Sequence, residues 1–299
     1  MKIVLTGATG FLGAALLPKL AGHELVVLAR TARPIEGARV VEANLEALGP
    51  WTEALRGADA VIHMAGEPIA GKRWDACQKQ ILRDSRVEGT RVLVEAIAAL
   101  PQRPSVLVSA SGADIYPFAS DEDDFDDDDV TEGDPPSDSF LGRLCRDWER
   151  EALAAEAHGV RVVCMRTGIV IGAGGALGKM TTPFKLYAGG RIGSGRQWFS
   201  WIHRDDAVAA YAAALTDARY RGPINLVTDS LRQAAFARAL GAALHRPSWL
   251  PVPAFALRAA VGELAEYLLH GRKVVPAALR TLGFAFAHPT VESALTASL

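Results

Sequence analysis

The chain has 299 residues, 49% of them hydrophobic and 22% charged, which lies in the ordinary globular range and excludes disordered and fibrous classes. A formal net charge of −2 favours no polyanionic partner, so neither nucleic acid nor a membrane surface is expected to bind. No apolar run reaches the ~18 residues of a membrane span, and three cysteines without a C-x-x-C pair suit a reducing, cytoplasmic setting.

The N-terminus, MKIVLTGATGFLG, enters a strand and a glycine turn without the apolar core and cleavage site of an export signal. Aliphatic and β-branched runs predict strands at Lys2 to Thr6, Glu24 to Ala29, Arg39 to Glu42, Ala60 to His63, Ser105 to Ser109 and Val160 to Arg166. Between them lie helical patterns at Phe11 to Ala21, Trp51 to Arg56, Trp74 to Leu100 and Phe140 to Ala157. This alternation predicts an α/β fold, a Rossmann-type doubly wound parallel sheet over residues 1–171. From 172 to 299 the rhythm loosens. A Gly-rich loop precedes a short strand ending at Trp201-Ile202, a helix from Asp205, and helices near Leu231 to Leu244 and Pro253 to His270. These predict a smaller C-terminal lobe, interleaved with the sheet and closing one side of its cleft. Asp121 to Asp134 holds ten acidic residues in fourteen positions, too polar to pack, and reads as a solvated mobile loop or a lid that repels anions. Cys77 and Cys164 read as small core hydrophobes.

Gly7-Ala8-Thr9-Gly10-Phe11-Leu12-Gly13 is G-x-x-G-x-x-G between the first strand and first helix. Gly7 permits the tight turn, Gly10 the approach of a pyrophosphate, and Gly13 close helix packing, while the helix N-terminus presents N–H groups to phosphate. The second strand ends in Ala29-Arg30, with Arg33 following, where NAD would call for a carboxylate on its ribose. Two guanidinium groups suit a 2′-phosphate instead, which predicts NADP(H).

TGATGFLG, VIHMAGEPIAGKRW (Val61 to Trp74), VSASGADIYP (Val108 to Pro117), MRTGIVIG (Met165 to Gly172) and FSWIHRDDAV (Phe199 to Val208) together resemble the extended short-chain dehydrogenase/reductase superfamily. GEPIAGKRW, FLGRLCRDWE and GKMTTPFKLYAGGRIGSGRQWFSWIH are similar to one atypical branch of it, the epimerase-like proteins sometimes labelled cell-division inhibitors. The branch implies the extended Rossmann fold and NADP binding, without an assigned reaction. Candidate cofactor contacts are Gly7, Thr9, Gly10, Phe11, Leu12, Gly13, Arg30, Arg33, Asn44, Leu45, Met64, Ala65, Gly66 and Arg166.

In the superfamily a Tyr and a Lys four residues later move the proton and hold the nicotinamide ribose, and a Ser orients the carbonyl. Aligning Trp148-Glu149 with the Glu that follows the Lys puts Leu141 at the Tyr position and Cys145 at the Lys position, and neither can do that chemistry. Arg143 and Arg146 lie about 200° and 100° from Cys145 around the helix and read as surface charges. Ser111 matches the orienting Ser, although its loop is one residue longer than usual, and Tyr116 is the phenol of that loop. Both are the candidate catalytic residues. Lys72, Arg73, Trp74, Lys179, Arg191 and Arg196 are candidate contacts for a small, anionic substrate. His63 reads as a satisfied core histidine. His203 reads as structural, with Asp206 beginning or capping the next helix. No histidine pair has ligand spacing, so no metal is expected. Two function classes follow, an NADP-dependent oxidoreductase or epimerase with an atypical acid, and a catalytically silent nucleotide sensor. A homodimer is an admissible assembly for either.

Overall fold

The computed structural model describes residues 1–118 and 127–299. Strands β1 (Lys2–Thr6), β2 (Glu24–Ala29), β3 (Ala38–Glu42), β4 (Ala60–His63) and β5 (Val106–Gly112) form where aliphatic runs meet turn residues. They are followed by β6 (Asp129–Val130), β7 (Arg161–Thr167), β8 (Ile169–Ile171), β9 (Trp198–His203), β10 (Gly222–Leu226), β11 (Asp229–Arg232) and β12 (Lys273–Val274). Seven of these make the central sheet in the order β10-β7-β5-β4-β1-β2-β3, and every neighbouring pair is parallel. The order reverses between β1 and β4, so a crevice opens at their carboxyl ends.

The chief helices are α1 (Phe11–Lys19), α2 (Ala76–Asp84), α3 (Val87–Ala98), α4 (Phe140–Leu153), α5 (Gly175–Lys185), α6 (Arg204–Thr216) and α7 (Gln233–Ala243). Alternation along each strand feeds two layers. Ile3 and Leu5 pack with Leu16 of α1, Leu20 at its C-terminal cap and Tyr211 of α6, whereas Val4 packs on the opposite face with Leu93 and Ile97 of α3. In α4 the buried positions Leu141, Leu144, Cys145, Trp148, Glu149 and Ala152 follow one helical stripe. Its N-terminus is fixed by Ser139, whose hydroxyl accepts the Gly142 N–H at 3.0 Å.

Residues beyond 171 are interleaved with the sheet, β10 adding its seventh strand and α6 covering α1. The structure departs from the sequence reading in several places. The helix expected over Trp74 to Leu100 is two helices parting at Ser85-Arg86. There the Ser85 hydroxyl accepts the Glu67 N–H and Arg86 donates to Glu67 O, so side-chain bonds to a neighbouring loop displace helix continuity. The Gly-rich stretch after Gly172 contains α5. The acidic segment is partly built: Asp129–Val130 pairs with β12, Val130 is buried, and Asp134 caps the turn at Thr131. The rest of that segment, 121–126, lies outside the described residues. Cys164 is buried in the core as expected, but Cys77 is exposed on α2, whose buried positions are Gln78 and Leu82. Among the described residues no helix is long and apolar enough to cross a membrane.

Candidate functional site

The glycine turn sits at the crevice. Gly7 has φ +71°, and a Cβ there would stand 2.6 Å from Met64 O and 2.7 Å from Ala65 N, so the turn is packed directly onto the end of β4. At Gly13 a Cβ would collide with Gly7 O and the Ala8 backbone. Helix α1 then begins at Gly10 with no side-chain cap and no acidic residue in its first turn. Its leading N–H groups and positive dipole end are therefore available to an anion. The Phe11 ring is not part of that offer, since it packs where Gly172 and Gly175 leave room for it, beneath the Arg204 guanidinium.

A neutral hydrogen-bonded column supports the turn from below. The Thr6 hydroxyl accepts the N–H groups of Met64 and Ala65, each at 3.2 Å, so its own proton goes to His63 Nδ1 at 2.7 Å. His63 Nε2–H then donates to Thr90 Oγ1 at 2.9 Å. Burial, with the nearby Arg86 charge, lowers the imidazole pKa to about 4, which keeps the ring neutral. His63 is thus the satisfied core histidine the sequence suggested.

At the end of β2, Arg30 and Arg33 are exposed, and neither guanidinium has an ion-pair partner among the described residues. Asn44 follows β3 and spends its side chain on Glu46, donating to the carboxylate and accepting the backbone N–H. Leu45 is half-buried beside it, packed toward Gly89.

Behind the carboxyl ends of β5 and β7 the buried polar groups bind one another. The Arg166 Nε and Nη2 donate to the two Glu149 oxygens, each at 2.8 Å, as a bidentate pair. Ser111 donates to Glu149 Oε1 at 2.6 Å. Arg166 Nη1 also donates to the Tyr116 hydroxyl at 2.8 Å and to Glu132 O, and Tyr116 in turn donates to Asn225 Oδ1 at 2.6 Å. Tyr116 is 2% exposed, and burial pushes its pKa up to about 12. Arg166 is therefore occupied inside this network and not presented to the crevice. The Ser111 and Tyr116 hydroxyl protons are likewise already donated within the protein. On α4, Leu141 packs with Leu144 and Trp148, and burial pushes the Cys145 thiol up to about 12. A phenol does reach position 141 from far along the chain: Tyr267 Oη accepts the Leu141 N–H at 3.0 Å. No local sequence signal could have revealed this contact between residues 126 positions apart.

The epimerase/dehydratase model, described as NAD dependent epimerase/dehydratase family, matches residues 3–226. The chain belongs to that family. A second model, Domain of unknown function (DUF1731), matches residues 252–298. Among full-length relatives, the Epimerase family protein SDR39U1 homolog, chloroplastic, of Arabidopsis thaliana is 39% identical over 99% of this chain and 86% of its own length. Epimerase family protein YfhF of Bacillus subtilis is 37% identical over 99% of this chain and 97% of its own. The crystal structure of human epimerase family protein SDR39U1, isoform 2, solved with NADPH, superposes with a TM-score of 0.86 at 33% identity, covering 99% of this chain and 98% of that one.

The substrate candidates of this epimerase-family chain fall into different environments. Lys72 and Arg73 are exposed, and Lys179 of α5 donates to Ala70 O at 2.7 Å, drawing α5 onto the same loop. Trp74 is instead a core residue: it is 4% exposed, its Nε1–H donates to Ile69 O, and its ring packs against Phe140 and Tyr267. Arg191 is exposed but turned back on its own loop, donating to Gly193 O and Ser194 O, and Arg196 is exposed in that loop. The loop's glycines answer to packing, because a Cβ at Gly189 would strike the Phe184 ring and one at Gly190 the Leu250 backbone.

His203, not Asp206, caps α6, its Nδ1 accepting the Asp205 N–H at 3.2 Å. Asp206 is buried and accepts the N–H groups of Ala287 and His288, tying the C-terminal segment to the helix. His203, Asp205 and His288 bring three possible metal-ligand atoms within 4.8 Å of one another. Both His203 nitrogens are engaged, however, the second with Ser298 Oγ at 3.2 Å.

Proposed function

We propose that this chain binds NADP(H) across the β1/β4 crevice. The observation that carries the reading is the turn after β1, where an uncapped helix N-terminus precedes a second strand followed by two exposed arginines that have no ion-pair partner among the described residues. In this reading the Gly7-to-Gly13 backbone holds the pyrophosphate, Arg30 with Arg33 the 2′-phosphate, and Met64 and Ala65 the adenosine ribose. The human relative solved with NADPH supports the same choice of cofactor.

The bound nicotinamide would supply hydride transfer to or from a small substrate. Lys72, Arg73 and Lys179, gathered near one loop, favour an anionic one. Ser111 is the remaining superfamily residue on the chemistry side, and an oxidoreductase or epimerase reading needs its hydroxyl released from Glu149. A second reading, a nucleotide sensor, is favoured by the same hydrogen bond and by Leu141 and Cys145 at the dyad positions.

Fluorescence titration with NADPH and NADH tests the binding. Tighter NADPH binding is expected, and equal affinities overturn the NADP reading. Steady change of nicotinamide absorbance with a panel of carbonyl compounds selects the enzyme. Tight binding without turnover selects the sensor.

A further inference from the structure

The junction of α2 and α3 sends one side chain back toward the end of β4. Arg86 Nη1 donates to Leu82 O at 3.2 Å and Nη2 to Glu67 O at 2.9 Å, and the guanidinium lies over the Trp148 ring at 5.2 Å. The residue is only 8% exposed. No carboxylate among the described residues comes within ion-pair distance; the Glu67 carboxylate acts on the guanidinium only from further off and is shared with Lys72, 3.9 Å from it. Two backbone carbonyls engage two of the five N–H groups of a guanidinium and neutralise none of its charge. Burying a cation without a direct ion pair is costly, so such a group is retained where something else meets it.

Its surroundings identify the place. A Cβ on Gly66 would stand 3.1 Å from the guanidinium carbon, so Arg86 rests directly on the backbone just past β4. Its charge also acts on Cys145, whose sulfur lies 3.3 Å from where a Gly112 Cβ would be, at the end of the adjacent strand β5. The cation therefore stands beside the position from which the superfamily lysine is missing. A lysine at 145 would face it as a like charge, whereas a buried neutral thiol does not.

Resting on the dinucleotide reading above, we propose that Arg86 supplies, from the α2–α3 junction, the fixed positive charge that position 145 of α4 lacks. Its remaining N–H groups bind ribose and phosphate oxygens on the nicotinamide side of the dinucleotide. This makes Arg86 a ligand-binding residue and explains how a cofactor is held where Leu141 and Cys145 cannot hold it.

The test compares two ligands, NADPH and adenosine 2′,5′-bisphosphate, which has the adenosine half and no nicotinamide ribose. Arg86→Gln is expected to lose about tenfold or more in NADPH affinity while keeping wild-type affinity for the bisphosphate, with Arg86→Lys recovering part of the loss. Unchanged NADPH affinity overturns the proposal. So does an equal loss for both ligands, which marks a purely structural role. Failure of the dinucleotide reading looks different: the wild-type protein then binds neither compound, and the proposal falls with it.

Discussion

Beneath the glycine turn, Thr6, His63 and Thr90 form a neutral buried column, and the backbone donors above it are left without side-chain caps. Behind β5 and β7 the buried groups are charged, and Ser111, Glu149, Arg166, Tyr116 and Asn225 satisfy one another. Both regions belong to one sheet, so the contrast lies in where the hydrogen-bonding capacity goes. A region that receives a ligand keeps donors in reserve, whereas one that joins distant strands consumes them internally.

The largest effect is expected from breaking the charged side. Arg166→Met leaves Glu149 buried without its partner and should cost about 3–5 kcal/mol in urea unfolding at pH 7. NADPH affinity measured on the folded variant should be unchanged, and a matching loss there would show the two regions to be one unit.

The neutral side answers to pH. The folded pKa of His63 is lowered to about 4 from an ordinary 6.5, so the unfolded chain takes up the proton first. Its contribution is complete above pH 6.5 and is lost as pH falls toward 4, roughly 3 kcal/mol in all. Urea titrations across that window should show this slope, and His63→Asn should flatten it. An unaltered slope would mean that His63 charges freely in the fold.

Removing a reserved donor should affect binding without affecting the fold. Arg30→Ala should lower NADPH affinity about ten- to hundredfold, the worth of a charge-assisted phosphate contact, and leave NADH affinity unchanged. Full retention of cofactor preference would exclude Arg30 from the phosphate site. The smallest effect is expected from Ser111→Ala, about 1 kcal/mol of stability, because Glu149 keeps its bidentate arginine. Weaker NADPH binding in that variant would place Ser111 on the open side of the comparison.

Local chemistry was legible in the residues themselves. Strand alternation, the glycine turn, and the arginine that replaces an acid after β2 each depend on neighbours within a few positions, and the parallel sheet follows from their rhythm. The Gly189-to-Gly195 loop was ambiguous because glycine serves a phosphate and a neighbouring ring equally well, and only packing against Phe184 and Leu250 separates the two. Ser111 lies near the end of β5 and Tyr116 just beyond it, yet their partners lie 38 and 109 residues away, and Arg166 lies 17 from its carboxylate. Those distances close only when β5, β7 and β10 lie side by side and α4 packs across them. Sequence alone determined which groups could bind a nucleotide. Tertiary structure decided which kept free hydrogen-bonding capacity, because satisfying a buried charge depends on what the sheet brings beside it.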